Sequence, residues 1–275
     1  MTNWIYLSKN GQDPYINMLA QADGQPARDT ESQWDTDSTA GLVMRGILKY
    51  KIMQQCWSNS RPFRYVDTGY FGNHATRSNP QGWKHWHRIV PNNLQHQEIL
   101  SRPPDRWLRH GIALQPRRSG SHVLIAAPDE KPCRIYNTSL EQWLNDTVRT
   151  VSQHTDRPIV IRQRAAQPSQ RRSNPFITDL INAHAVIVFN SNAATEAVIQ
   201  GVPVYVMAPC HAASAVANRN LETIEQPWWP DDDLRWRWVC HLAYGQFHIT
   251  EMQNGQAKKI LDQTMEQQGA LWNSQ

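Results

Sequence analysis

Residues 189–206 read Phe-Asn-Ser-Asn-Ala-Ala-Thr-Glu-Ala-Val-Ile-Gln-Gly-Val-Pro-Val-Tyr-Val. The pattern predicts a strand, a turn at Asn190-Ser191-Asn192, a helix with Glu196 in its first turn, and a second strand. A helix N-terminus presents backbone N–H groups and a partial positive charge, so such a turn suits a phosphate. Ser191, Asn192 and the two alanines that follow leave room for an anion, and Glu196 is placed to accept from a ribose or sugar hydroxyl. Plain capping explains the same residues: Asn190 and Ser191 close the helix end, and Glu196 favours its dipole. Arg162 and Arg164, at and beyond the end of a predicted strand 159–161, offer guanidinium forks to the same anion. Lys131 in Pro-Asp-Glu-Lys-Pro, after the predicted strand 122–127, is a further phosphate candidate. Neither G-x-x-x-x-G-K-[ST] nor G-x-G-x-x-G occurs here, which argues against a Walker-type site and the usual dinucleotide fingerprint.

A second group carries proton-transfer chemistry. Asp67 ends the run Arg-Pro-Phe-Arg-Tyr-Val-Asp just before Gly69, where it suits a general base or an Asx turn with Thr68 and Gly69. Asp37 is a second base candidate, though a helix cap accounts for it. His85 and His87 are two apart and share a face of an extended chain, which fits a base, a phosphate donor or a metal pair. No third ligand accompanies them, so no metal is expected. His211, after the strand near 204, is placed to reach a sugar or simply to pack.

The surrounding segment is basic and aromatic. Between residues 61 and 120 ten Lys or Arg face three acids, with Trp83, Trp86 and Trp107 among them. Cations interleaved with planar rings suit a nucleic acid, and Arg77, Lys84, Trp83, Trp86, Arg88 and Arg106 are the contact candidates. A solvated basic face over core tryptophans is the other explanation.

The elements that must position these residues are clearest after residue 118. Helix 139–155, with Ser139 as N-cap, lies between strand 122–127 and the strand run 157–164, whose apolar core is 159–161; a short helix at 175–184 and strand 185–190 follow. Continuous Val/Ile strands between helices predict a parallel sheet covered on both faces. Before residue 118 the pattern is weaker: a strand at 4–7, a helix over Thr36–Cys56, a strand running into Gly69, and mostly loop from His74 to Asn93. Residues 234–247 and 251–267 predict closing helices. The expected division is 1–118 and 119–275.

The chain has 275 residues, 40% hydrophobic and 19% charged, with a net charge of +4, within the range of globular α/β proteins. No apolar run reaches the roughly 20 residues of a membrane span. The first residues lack the build of a signal peptide, so a cytoplasmic protein without a membrane partner is expected. The cysteines at 56, 133, 210 and 240 form no C-x-x-C pair and are expected as buried free thiols.

The strand, the Asn-Ser-x-Ala-x-x-Glu-Ala turn and helix, and the following Gly-x-Pro-Val resemble the nucleotide-sugar half of GT-B glycosyltransferases. The wider string, with Tyr-Val-Asp-Thr-Gly-Tyr-Phe-Gly-Asn, Trp-Lys-His-Trp-His-Arg-Ile and Asn-Ser-Asn-Ala-Ala-Thr-Glu-Ala, resembles phage-encoded DNA-modifying glycosyltransferases. The resemblance implies an α/β, GT-B-like fold: two Rossmann-like units facing a cleft, the N-terminal one reduced, with a C-terminal helix crossing back to the first. It implies a nucleotide diphosphate sugar such as UDP-glucose, held by Ser191, Asn192, Arg162, Arg164, Lys131, Glu196 and His211, and no other cofactor. It implies an acceptor base on the N-terminal side, Asp67 or one of His85 and His87. The acceptor expected from the basic segment is a 5-hydroxymethylpyrimidine in DNA. The alternatives are a surface polysaccharide or lipid acceptor, and a non-enzymatic nucleic-acid-binding protein on the same fold.

Overall fold

The computed structural model describes residues 3–29, 39–46, 49–73, 85–163 and 176–272. They form two compact units, Met1–Leu94 with Leu242–Gln275, and Gln95–His241. The division expected at residue 118 therefore falls inside the second unit, and the C-terminal helices belong with the first.

Unit 1 is built on a six-stranded sheet. Its strands are β1 (Trp4–Ser8), β2 (Ala27–Asp29), β3 (Gly41–Arg45), β4 (Phe63–Thr68), β5 (Trp86–Pro91) and β10 (Gln246–His248). The order is β10-β5-β4-β3-β1-β2, with β1 to β4 parallel and β5 antiparallel to both its neighbours. Helix α1 (Pro14–Ala22) begins at Asp13, whose carboxylate accepts from Tyr15 N and Ile16 N. Its Ile16 and Leu19 join Tyr6, Val43, Val66, Ile89 and Phe247 in one core, closed by Met252 of α9 (Ile249–Gln253) and Ile260 of α10 (Gln256–Trp272). The alternate strand residues, among them Leu42, Met44, Phe63 and Tyr65, face the opposite side and are buried there. On that side the Trp57 ring of α2 (Tyr50–Ser58) stands 5.7 Å from Phe63.

Unit 2 carries a four-stranded parallel sheet of β6 (His122–Ala126), β7 (Ile159–Arg162), β8 (Ala183–Val188) and β9 (Val204–Val206), in the order β7-β6-β8-β9. Its helices are α3 (Asp105–Leu108), α4 (Glu130–Ile135), α5 (Leu140–Ser152), α6 (Phe176–Asp179), α7 (Ala193–Ile199) and α8 (Asp232–Tyr244), the last running into unit 1 at Leu242. Cys133 of α4 and Trp143 and Val151 of α5 pack with Val123, Ile125, Ala185 and Ile187. Ser139 caps α5 as expected, accepting from Gln142 N at 3.0 Å. Counted within each unit, the four parallel strands share one order, second-first-third-fourth.

Four local expectations change. Gly41–Arg45 is a strand rather than part of a long helix, because its run Gly-Leu-Val-Met-Arg is short and four of its residues are fully buried between parallel neighbours. Trp86–Pro91, expected as loop, pairs with β4 and β10 and buries His87, Arg88, Ile89 and Val90. Gln246–His248, expected as helix, is the strand β10. The last helix is two helices, broken at Asn254-Gly255 where Gly255 has φ +80°. All four cysteines are buried. Among the described residues no helix is long and apolar enough to cross a membrane. Asp37, Arg77, Trp83, Lys84 and Arg164 lie outside the described residues.

Candidate functional site

In an open parallel sheet, ligands bind beyond the carboxyl ends of the strands at the point where the strand order reverses. In unit 2 that point lies between β6 and β8. The chain leaving β6 there is Ala127-Pro128-Asp129 leading into α4, and the chain leaving β8 is Phe189 to Asn192 leading into α7. The residues singled out at 190–196 are thus at the switch point, with Lys131 exposed on α4 and Arg162 at the end of neighbouring β7.

The turn itself is held from behind. Ser191 Oγ accepts from Ala193 N at 3.2 Å, and its carbonyl accepts from Ala194 N at 3.2 Å. His211 is fully buried; its Nε2 meets the same Ser191 carbonyl at 3.1 Å, while Nδ1 accepts from Ala213 N at 2.9 Å. The Asn190 carbonyl accepts from Gln95 Nε2 at 2.9 Å, and Gln95 Oε1 accepts from Ala212 N at 2.9 Å. His211 was expected to reach a sugar; its burial puts it beneath the turn instead. Gln95 carries no sequence signal, since a lone glutamine near a Leu-Gln-His-Gln run reads as surface. Asn192 stands at the N-cap position and does not cap with its side chain, and Glu196 is half-buried on α7.

Arg162 is less open than its sequence suggests. Its guanidinium is ion-paired with Asp179 of α6 and lies 5.6 Å from the Phe176 ring centre. An anion arriving here would exchange with, or add to, that carboxylate.

Between α7 and β9, Gly201 and its neighbours fix the far end of α7. Gly201 has φ +81°, and a Cβ there would stand 2.0 Å from the Pro116 carbonyl oxygen. Arg235 is buried, donating to Gln115 O at 2.7 Å and Val198 O at 3.1 Å, and so binds the 115–118 segment to the C-terminus of α7. The Gly-x-Pro-Val signature is thereby explained by packing: only glycine fits this turn.

In unit 1, Asp67 lies at the carboxyl end of β4, directly opposite Arg88 of β5. Its Oδ2 accepts from Tyr65 Oη at 2.7 Å and Arg88 Nη2 at 3.0 Å, and its Oδ1 from Thr68 N at 2.8 Å. Burial works to raise its pKa, but Arg88, Tyr65, Thr68 and Arg45 outweigh it and hold the carboxyl below its ordinary value. Asp67 is therefore a carboxylate at neutral pH, with a side chain 32% exposed. The Thr68 contact is local, but Gly69 N donates to Trp86 O, so the expected Asx turn with Gly69 does not form. Beside it, Arg45 at the end of β3 is paired with Asp13 at 3.3 Å and stacked over Tyr15.

The remaining candidates separate. His87 is fully buried with its ring 3.9 Å from the Tyr15 ring, so it cannot meet an acceptor without local opening. His85 is half-buried, its ring 5.8 Å from that of His248, so the two histidines do not share an open face. Trp86 is half-buried, its backbone bracketed by Asn73. Arg88 and Arg106 are 7% and 5% exposed, and Arg88 is committed to Asp67 and to Thr68 O at 2.7 Å. As nucleic-acid contacts these two are corrected, because a buried guanidinium cannot neutralise a backbone phosphate. Among the described residues of this stretch, the exposed cations are Arg109, Arg117 and Arg118. Among the described residues no cluster of three His, Cys, Asp or Glu could hold a metal ion.

No protein-family model matches the chain. No curated protein matches it either. Solved structures do. A structure of Thermosulfurimonas dismutans KpsC described as a beta Kdo 2,4 transferase matches with a TM-score of 0.52 and 10% identity, over 87% of this chain and 90% of that one. The beta Kdo 2,7 transferase of the same KpsC matches with a TM-score of 0.52 and 12% identity, over 90% of this chain and 92% of the other. At that identity the likeness is one of fold, and with the parallel sheet of unit 2 and the mixed sheet of unit 1 it identifies the chain as α/β and GT-B-like, built from two Rossmann-like units.

Proposed function

We propose that this protein is a glycosyltransferase that takes its sugar from a nucleotide-activated donor bound at the carboxyl edge of the unit 2 sheet. The observation that carries the proposal is the position of Asn190-Ser191-Asn192 and Glu196 at the switch point between β6 and β8. Two structures of the same fold described as Kdo transferases support it. In this reading the diphosphate lies against the turn. A phosphate oxygen takes the Ala193 N–H that Ser191 Oγ now occupies, and the freed Ser191 hydroxyl donates to the phosphate. Arg162, Arg164 and Lys131 supply the positive charge that stabilises the departing nucleotide, where negative charge develops during transfer. Glu196 accepts from a ribose or sugar hydroxyl. Asp67 of unit 1 is the base that removes the acceptor proton, by exchanging its Tyr65 or Arg88 contact for the acceptor hydroxyl. His85 and His87 are not assigned to the chemistry.

The acceptor is a hydroxyl compound. A 5-hydroxymethylpyrimidine in DNA, the acceptor expected from the basic segment, now rests on residues 74–84 and the exposed Arg109, Arg117 and Arg118, since Arg88 and Arg106 turn inward. The neighbours are named for transfer of Kdo, which gives a saccharide acceptor a place beside it. The test is calorimetric binding of UDP-sugars and nucleotide-activated Kdo. Each binder is then incubated with hydroxymethylcytosine duplex or with oligosaccharide, and products are read by mass spectrometry. Donor binding and a sugar-shifted product are expected. A protein that binds none of the nucleotides overturns the proposal.

A further inference from the structure

Two buried side chains link the Asn190–Asn192 turn to residues 212 and 213, with hydrogen bonds to backbone from both ends of each. His211 Nδ1 accepts from the Ala213 N–H, so its proton sits on Nε2, which donates to the Ser191 carbonyl. Gln95 spans the same gap in the other sense, donating from Nε2 to Asn190 O and accepting at Oε1 from Ala212 N. Both are essentially unexposed, at 0% and 2%. The loop that carries His211 and bonds Gln95 is itself fixed. Arg219 donates to Ala208 O, Pro209 O and Ser214 Oγ; Trp238 Nε1 donates to Ala212 O; Cys210 Sγ lies 3.6 Å from Gln95 O. The Ser191 carbonyl thus has two donors, Ala194 N and His211 Nε2. Thr195, four residues on, would ordinarily bond that carbonyl from within the helix; its hydroxyl is buried without a hydrogen-bond partner.

We infer that His211 and Gln95 are positioning residues, a paired brace that holds the carbonyls of Asn190 and Ser191 inward so that the N–H side of the turn faces the donor diphosphate. This rests on the donor site proposed above. A carbonyl that rotated outward would set a partial negative charge against the phosphates, and a turn that must be ordered on binding costs affinity. The brace removes both costs before the donor arrives. It also explains why a polar pair occupies a core position where apolar side chains would pack: neither group is replaceable without leaving a backbone carbonyl or N–H unsatisfied.

The test uses the whole protein and three substitutions at one site. His211→Phe keeps a ring and removes both nitrogens. His211→Gln restores a donor at the reach of Nε2, and His211→Asn restores only the acceptor near Nδ1. Affinity for the best-binding nucleotide sugar is measured by calorimetry, and amide exchange at 191–196 is read alongside exchange in β6. Expected are donor binding weakened about tenfold in His211→Phe and His211→Asn and largely recovered in His211→Gln, with exchange accelerated in the turn and not in β6. Equal donor affinity in all four proteins overturns the inference. So does an equal loss in all three variants with exchange accelerated through β6, which is general destabilisation. A wild-type protein that binds no nucleotide sugar removes the donor site and this role with it, and is recognised because it fails before any variant is compared.

Discussion

Replacing Gly201 by alanine puts a methyl group where the chain has no room. The backbone there has φ +81°, and the added Cβ would lie 2.0 Å from the Pro116 carbonyl oxygen and 3.0 Å from its carbon. Ordinary contact begins at 3.4 Å, so the two chains would have to part by about 1.4 Å. They are tied on both sides, by Arg118 N to Gly201 O at 2.7 Å and Gln115 N to Ile199 O at 2.8 Å. The left-handed conformation costs alanine about 1 kcal/mol, and forcing a methyl into packed backbone about 1–3 kcal/mol more, roughly 2–4 kcal/mol together. Gly111→Ala is the control: it has φ +62°, lies in the same unit and has nothing within 4 Å, so it meets only the first cost. A protein of two units need not unfold in one step, so the assay is native-state hydrogen exchange of the β6 and β8 amides, which report unit 2 alone. Exchange should accelerate roughly thirty- to several-hundredfold in Gly201→Ala and about fivefold in Gly111→Ala. Equal protection in the two variants would refute the claim that the Pro116 contact fixes the end of α7.

Asp67→Asn should abolish transfer while leaving donor binding intact, and persistent transfer would remove Asp67 as the base. It should also destabilise unit 1 at pH 7 by roughly 1–3 kcal/mol. Because its folded pKa lies below the ordinary 3.8, the Arg88 pair stabilises above that value and is lost as pH falls through the folded pKa. The wild-type advantage should therefore shrink in acid; a penalty independent of pH contradicts the ion-pair account. His241 in unit 2 behaves oppositely: burial, then Arg102, lowers its pKa from 6.5 to about 4. Between those values the unfolded chain takes up a proton that the folded one refuses, so unit 2 loses stability as pH falls, by at most roughly 3 kcal/mol. His241→Phe should flatten that window in a denaturation series, and an unchanged slope would speak against it. Ser191→Ala and Arg162→Ala should each weaken donor binding about tenfold by calorimetry; unchanged affinity would remove that residue from the diphosphate site.

Unit 2 was legible because β6, β8 and β9 are buried on both faces, β7 is an apolar run though half-exposed, and α5 is amphipathic and capped, so each element announces itself in turn. Unit 1 was not, because its polar residues do core work. β5 reads as loop since Trp-His-Arg is neither apolar nor alternating, yet His87 packs under Tyr15 and Arg88 is neutralised by Asp67. β3 reads as helix since five residues cannot distinguish a buried strand from a helical turn. The basic segment looked like a surface for the same reason. A sequence counts arginines without showing which of them, like Arg64 on Asp262, have acids from distant positions waiting. At the candidate site the residue types were legible and their depth was not. Ser191 and Glu196 lie where the pattern put them, whereas His211 is behind the turn and Gln95 was invisible.

The four parallel strands of each unit share one order, but the two sheets carry different chemistry at their carboxyl edges. In unit 1 the edge is a set of closed ion pairs, Asp13 with Arg45 and Asp67 with Arg88. A ligand there must compete with a partner already in place, Tyr65 or Arg88 at Asp67. In unit 2 the edge at the switch point is made of small residues on a turn whose carbonyls are already committed inward. A ligand there displaces one weak intramolecular contact, Ser191 Oγ to Ala193 N, and finds the backbone already set. A preformed edge suits the partner whose position fixes where the reacting carbon lies; an exchangeable one suits a partner that must surrender a proton. That contrast agrees with the proposal of a donor at the turn of unit 2 and an acceptor base at Asp67 of unit 1. It also predicts the order of sensitivity: neutralising one ion pair in unit 1 should alter the pH dependence of transfer before it alters donor affinity, while loosening the turn in unit 2 should do the reverse.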